Sequence, residues 1–316
     1  MSVNRNALPF VKELVQKSKE LGVEVTKMSN GTTIIDVGSK TRGGFQAGRL
    51  VTKICLGGYG QVQLSHADFG GLDLPTIHVF TDHPALSTLG SQLSGWAIRV
   101  GDYFALGSGP ARALALKPRE LFERINYRDE SDVAILMLES SEGPTDEVAE
   151  HIAGDCGVKP GGLYLILTPT SSVAGSVQIS GRIVETGIHK LTELDFDPKR
   201  ILYASGYAPI APIHPKFEEA MGRTNDMVLY GGTAGYIVDH DSDEELRSIV
   251  NEAPSSASKD YGRPFSEIFE KADRDFYKID PGLFAPAFIS LTNVRSGKTF
   301  SAGGVNVDII KKSIGL

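Results

Sequence analysis

Apolar positions along the chain follow helical and strand periods, and the most regular stretch covers residues 163–191. A short apolar run at 163–167 reads as a buried strand. Thr170, Ser171 and Ser172 then offer side-chain oxygens to cap a helix start. Beyond the cap the spacing predicts one helix. Val173, Val177, Val184, Ile188 and Leu191 share a stripe, with Gly181 in its gap. Gln178, Arg182, Glu185 and His189 form a second stripe that borders the core face rather than opposing it. Gly175, Gly181 and Gly187 interrupt the pattern. Each costs about 1 kcal/mol relative to Ala in a helix interior, which predicts backbone or a flat ligand packed close against them.

The same periods place elements along the rest of the chain. Leu8, Val11, Leu14, Val15 and Leu21 predict an amphipathic helix stopped by Gly22. Two strands flank Asn30-Gly31, a hairpin signal. Residues 45–56 read as a helix, and 61–66 and 76–81 as strands. Leu86, Leu89, Leu93 and Trp96 predict another helix. A strand from Tyr103 runs into the Gly107-Ser108-Gly109 turn, with Pro110 near the start of a following helix. Residues 132–139 are a strand, 145–153 a helix and 201–204 a short strand. Three prolines in residues 206–215 predict an extended loop carrying Tyr207. Gly222-Arg223-Thr224-Asn225-Asp226 follows a short helix. Residues 242–250 and 265–276 are helices, a hairpin turns at Arg295-Ser296-Gly297, and 307–314 form a last helix.

Strands and helices alternate irregularly, with hairpins at both ends. The expected class is α+β, a mixed α/β arrangement, rather than a doubly wound sheet. The 316 residues suffice for two lobes, expected at 1–117 and 118–316. A net charge of −7 argues against nucleic acid or an anionic membrane as partner. Only Cys55 and Cys156 occur, so no disulfide framework is expected and a reducing cytoplasm fits. No apolar run reaches the length of a membrane span, and no signal-peptide core opens the chain.

Several chemistries fail on spacing. His78, Asp82 and His83 come nearest to a metal set, but no pair of histidines stands four apart on a helix, so no metal is expected. No Gly-x-Ser-x-Gly elbow occurs. Arg112 stands where a dinucleotide fingerprint needs its third glycine. Thr292 replaces the first glycine of a phosphate loop ending Ser296-Gly297-Lys298-Thr299. Two candidates survive. The turn carrying Ser108, Gly109 and Arg112 could hold an anion at a helix start, or be a plain strand-to-helix turn. Arg182 and Glu185, three apart, could be a surface ion pair of little energetic weight. The sharper reading is a partly buried carboxylate kept ionised for acid–base work.

Several motifs together resemble the methenyltetrahydromethanopterin cyclohydrolase family. They are Ala47-Gly48-Arg49 with Ile54-Cys-Leu-Gly-Gly58; Ala105-Leu-Gly-Ser-Gly-Pro-Ala-Arg-Ala113; Ala174-Gly-Ser-Val-Gln178 with Arg182 and Glu185; Ala220-Met-Gly-Arg-Thr-Asn-Asp226 with Tyr230-Gly-Gly232; and Asp275-Phe-Tyr-Lys-Ile-Asp280. The likeness spans nearly the whole chain. It implies a cyclohydrolase-specific fold of two lobes with a cleft between them, a cytoplasmic homotrimer and no redox cofactor. It implies reversible hydrolysis of 5,10-methenyltetrahydromethanopterin to 5-formyltetrahydromethanopterin, in methanogenesis or formaldehyde oxidation. The family's catalytic glutamate and its arginine neighbour map onto Glu185 and Arg182. Ser108, Gly109, Arg112, Gln178, Tyr207, Asn225 and Asp226 become candidate substrate-binding residues. A non-catalytic binder of a pterin or phosphorylated ligand is the alternative.

Overall fold

The computed structural model describes all 316 residues, and the chain folds as two compact units. The first comprises Met1–Gln61 and Ala85–Gln178, the second Val62–Pro84 and Ile179–Leu316. The division expected after residue 117 falls inside the first unit. Twelve strands follow in chain order: β1 (Glu24–Lys27), β2 (Thr33–Asp36), β3 (Gly60–Asp68), β4 (Asp73–Thr81), β5 (Trp96–Val100), β6 (Tyr103–Ser108), β7 (Ala134–Glu139), β8 (Leu163–Leu167), β9 (Ile201–Pro209), β10 (Thr233–Val238), β11 (Phe288–Asn293) and β12 (Thr299–Gly303).

The first unit is built on a mixed sheet of order β1-β2-β8-β7-β6-β5. Its centre, β2-β8-β7, is parallel, and antiparallel strands flank it on both sides. Helix Asp146–Cys156 lays Val148, Ala149, Ile152 and Ala153 on one face, against Leu136, Leu138, Leu163 and Leu165. Helices Val3–Gln16 and Phe45–Cys55 cover the other with Val11, Leu14, Leu50 and Ile54, against Ile35, Ile135, Met137 and Ile166. Burial on both faces is why β7 and β8 read as unbroken apolar runs rather than alternating ones.

The second unit's sheet has the order β12-β11-β10-β9-β4-β3, with β10 and β11 its parallel pair. Helix Ile183–Glu193 lies along β9, β10 and β4. Ala204 and Ala208 on β9, Ala234, Tyr236 and Val238 on β10, and Ile289 and Leu291 on β11 are buried. A further core joins helix Phe217–Gly231 to helices Phe265–Lys271 and Val307–Ser313 through Met227, Tyr230, Phe265, Ile268 and Ile310. Two mixed sheets with helices packed on them make an α+β protein, as expected.

Four local expectations are corrected. Trp96 opens β5 instead of closing a helix. The preceding residues form the short helix Pro84–Ser87 and a π-turn over Thr88–Gln92. β9 continues to Pro209, through residues expected in a loop; proline is tolerated at a strand end, where no ladder donor is needed. Gly222 to Asp226 lies inside the helix Phe217–Gly231. The fourth correction concerns the candidate site: the helix expected over residues 173–191 is two helices, Val173–Ser180 and Ile183–Glu193.

Candidate active site

β8 ends at Leu167, and residues 168–172 lead into helix Val173–Ser180. The Ser172 hydroxyl accepts from the Gly175 N–H at 2.9 Å and donates to the Pro169 carbonyl at 2.8 Å, so one of the three expected caps forms. Gly175 is required by that turn, because a Cβ there would lie 2.0 Å from the Pro169 carbonyl oxygen. The break comes at Gly181-Arg182. The Arg182 N–H turns back to the Ile179 carbonyl, an i−3 bond, and its backbone sits at φ −87°, ψ 3°, outside the helical basin. The Thr186 N–H then bonds the Arg182 carbonyl, and the second helix starts.

This break brings Arg182 and Glu185 together. Glu185 stands in the first turn of the new helix, where the helix dipole favours an anion. Arg182 precedes that turn as its cap residue. Its Nε lies 3.1 Å and its Nη2 3.0 Å from Glu185 Oε2. The side chains are only 13% and 4% exposed, so the surface-pair reading is overturned by burial. Both guanidinium contacts fall on one carboxylate oxygen, and Oε1 stays outside the pair.

One further group acts on this turn, and the sequence reading passed over it. Tyr236, on β10, is 1% exposed, and its hydroxyl donates to the Val184 carbonyl at 3.0 Å. Burial, then the neighbouring Glu185 charge, push its phenol well above the ordinary tyrosine range, so it stays a donor. Gly187 makes room for it: a Cβ there would lie 2.0 Å from the Tyr236 hydroxyl. Close packing against a helical glycine was expected. The neighbour is a protein side chain, on a strand whose signal, alternating Ala234, Tyr236 and Val238, lay hidden between Gly232 and the acidic turn.

The other predicted residues are placed differently. Gln178 is 1% exposed, and its Nε2 has no hydrogen-bond partner in the protein. Tyr207 is partly buried and stacked on His78, with ring centroids 5.3 Å apart. Asn225 spends its amide on the Met221 carbonyl, and Asp226 accepts from the Phe265 N–H and the Ser313 hydroxyl. The glycine turn holds no anion cradle. The Gly109, Ala111 and Ala113 N–H groups bond the Ser91, Ile135 and Pro110 carbonyls. The following helix, Arg112–Ala115, has four residues. Ser108 donates to the Gln92 carbonyl. Arg112 is fully buried and donates to the carbonyls of Leu89, Ser91 and Lys117. These three residues are committed to holding the turn and the preceding π-turn together. No group of three or more His, Cys, Asp or Glu side chains is placed to hold a metal ion.

Comparison with known proteins agrees with the motifs. The family model described as Cyclohydrolase (MCH) matches residues 2–314. A Methanocaldococcus jannaschii protein named methenyltetrahydromethanopterin cyclohydrolase is 49% identical over 318 residues, covering 100% of this chain and 98% of its own length. The chain belongs to the methenyltetrahydromethanopterin cyclohydrolase family. The Methanothermobacter marburgensis protein of the same name is 47% identical with both chains fully covered. A Methanococcus maripaludis cyclohydrolase is 49% identical, covering 99% of this chain.

Proposed function

We propose that this protein catalyses the reversible hydrolysis of 5,10-methenyltetrahydromethanopterin to 5-formyltetrahydromethanopterin in one-carbon metabolism. Beyond family membership, the observation that carries the reading is the buried Arg182–Glu185 pair with one carboxylate oxygen left over. The substrate is a cyclic amidinium, so its carbon is already electrophilic and needs no metal to polarise it. Glu185 Oε1 takes a proton from water as the water oxygen bonds that carbon. The carbon becomes tetrahedral. Glu185 then returns a proton to the ring nitrogen, and the carbon–nitrogen bond to it breaks. The water oxygen becomes the formyl oxygen, and the second water proton leaves to solvent. No carbon changes oxidation state, so the reading requires no redox cofactor. Arg182 fixes Oε2 through two N–H groups and so aims Oε1. Gln178, a buried donor without a protein partner, is the substrate-binding candidate that burial favours.

A cytoplasmic homotrimer completes the proposal. Both cysteines are buried and neither is in a disulfide, which fits a reducing compartment, and no helix is long and apolar enough to cross a membrane. Phe80, Tyr203 and Ile237 on the second sheet are 48%, 49% and 40% exposed, an apolar surface suited to self-association. Sedimentation at several concentrations tests the trimer. The activity test is spectroscopic. An enzyme removes the ultraviolet chromophore of the methenyl substrate with turnover, whereas a non-catalytic binder shifts it once, in proportion to protein. Methenyltetrahydrofolate run alongside reports selectivity for the pterin.

A further inference from the structure

We infer that Tyr236 is a positioning residue for Glu185, holding the carboxylate's helix turn against the second sheet through its hydrogen bond to the Val184 carbonyl. The inference rests on Glu185 acting as the base. Glu185 stands in the first turn of its helix. The first-turn N–H groups of a helix lack intrahelical acceptors, and the break at Gly181-Arg182 prevents the preceding helix from lending rigidity. Arg182, which pairs with the carboxylate, is itself at that break. Ile183 and Val184 pack this turn against the sheet, and Tyr236, in the sheet's interior, adds a directional tie: its hydroxyl reaches the carbonyl of the peptide that joins Val184 to Glu185. Fixing that peptide plane fixes the direction in which Glu185 leaves the backbone. The contact is close enough to dictate sequence elsewhere. At residue 187 a methyl would meet the hydroxyl at 2.0 Å, Tyr236 Cζ at 3.0 Å and Pro286 Cγ at 3.1 Å. Glycine is therefore required opposite the tyrosine.

A hydroxyl that merely satisfies a core tyrosine would affect folding alone, so the test reads kinetics per folded molecule. Tyr236→Phe keeps the ring and removes the hydrogen bond. The expected result is a roughly tenfold lower kcat, since small displacements of a reacting group are costly, with KM within about twofold of wild type. Gly187→Ala is expected to lower kcat further. In the Tyr236→Phe background the same methyl no longer meets a hydroxyl, so its penalty shrinks and the double variant is less impaired than the product of the single losses. Glu185→Gln is measured beside them. An inactive Glu185→Gln with wild-type kcat in folded Tyr236→Phe overturns the positioning role and leaves the base in place. A fully active Glu185→Gln overturns the base, and the positioning role with it. If Gly187→Ala does not fold, Tyr236→Phe alone decides.

Discussion

Glu185 and Asp226 are two buried carboxylates on helices of the second unit, and they are held in opposite ways. Glu185 meets a cation, and both contacts fall on one oxygen. Asp226 meets neutral donors on both: the Phe265 N–H at 2.8 Å on Oδ1 and the Ser313 hydroxyl at 2.6 Å on Oδ2. Asp226 thereby ties helix Phe217–Gly231 to the helices beginning at Phe265 and Val307, with each of its oxygens bonded within the fold. Burial raises its pKa to about 7, only partly offset by those two bonds. Both residues lie in stretches that resemble the family, so resemblance alone does not separate them. The distribution of contacts over the two oxygens does: a carboxylate with each oxygen bonded within its own fold is architecture, and one with an oxygen outside its ion pair, held by an arginine, has chemistry open to it.

The sharpest way to break this comparison is Glu185→Gln. It preserves shape and removes the base. General base catalysis contributes about 10²–10⁴-fold, so kcat is expected to fall by that order while substrate binding, read by equilibrium titration, survives. Arg182→Ala is expected to slow the reaction as well, because Glu185 loses the two N–H groups that orient it. If the residues act as a unit, the double variant loses far less than the product of the single losses. Wild-type turnover in folded Glu185→Gln would remove the distinction between the two carboxylates.

Much of this was legible in residue order, and the failures share a cause. The strand at 163–167, the helix from Phe45 and the hairpin at Asn30-Gly31 were readable because local pattern and burial agree there. Trp96 misled because it falls seven residues after Leu89, a helical interval. Yet Trp96, Ile98 and Val100 also alternate, and the Gly101-Asp102 turn returns the chain as β6. Only the sheet decides between the periods. The break at Gly181-Arg182 was hidden because one glycine hardly disturbs a stripe, although it moves the polar residues relative to one another. Arg182 and Glu185 were found because three residues apart remains adjacent on either side of a helix start. Tyr236 was not, since its partner, Val184, lies 52 residues away. The glycine turn misled for another reason. Its composition suits an anion, but whether N–H groups remain free depends on carbonyls brought in from Ser91 and Ile135.

Arg112 sharpens the comparison from the side of the cations. Arg182 serves a carboxylate; Arg112 serves three backbone carbonyls and stacks over Phe122, 5.4 Å from the ring centre. Arg112→Leu leaves buried acceptors unpaired, at about 1–3 kcal/mol each. The Ser91 carbonyl keeps its bond from the Gly109 N–H, so the total is expected near 3 kcal/mol. Denaturant titration measures it. Kinetics of the folded fraction are expected to keep KM within about twofold of wild type. A KM rise of tenfold or more at unchanged stability would return Arg112 to the substrate site.

The smallest effect belongs to Asp226→Asn, and it appears in stability against pH rather than in turnover. The folded-state pKa of Asp226, about 7, stands above its ordinary value of 3.8. Folding therefore favours the protonated acid. Its contribution is fully present below pH 3.8, falls as the pH rises toward 7 and is gone above that. The shift of about three pH units sets an upper limit near 4 kcal/mol; local relaxation around the charge brings the expected change to about 1–2 kcal/mol. Asparagine keeps an oxygen for the Phe265 N–H and turns an N–H₂ toward Ser313, whose hydroxyl can rotate to accept. It carries no charge to bury. Relative to wild type, the variant is expected to gain stability progressively between about pH 4 and pH 7, with kcat per folded molecule unchanged. Unfolding midpoints at pH 5 and pH 8 measure the difference. Parallel stability curves for the two proteins would show that Asp226 folds already charged. The contrast with Glu185 would then rest only on which oxygens are occupied.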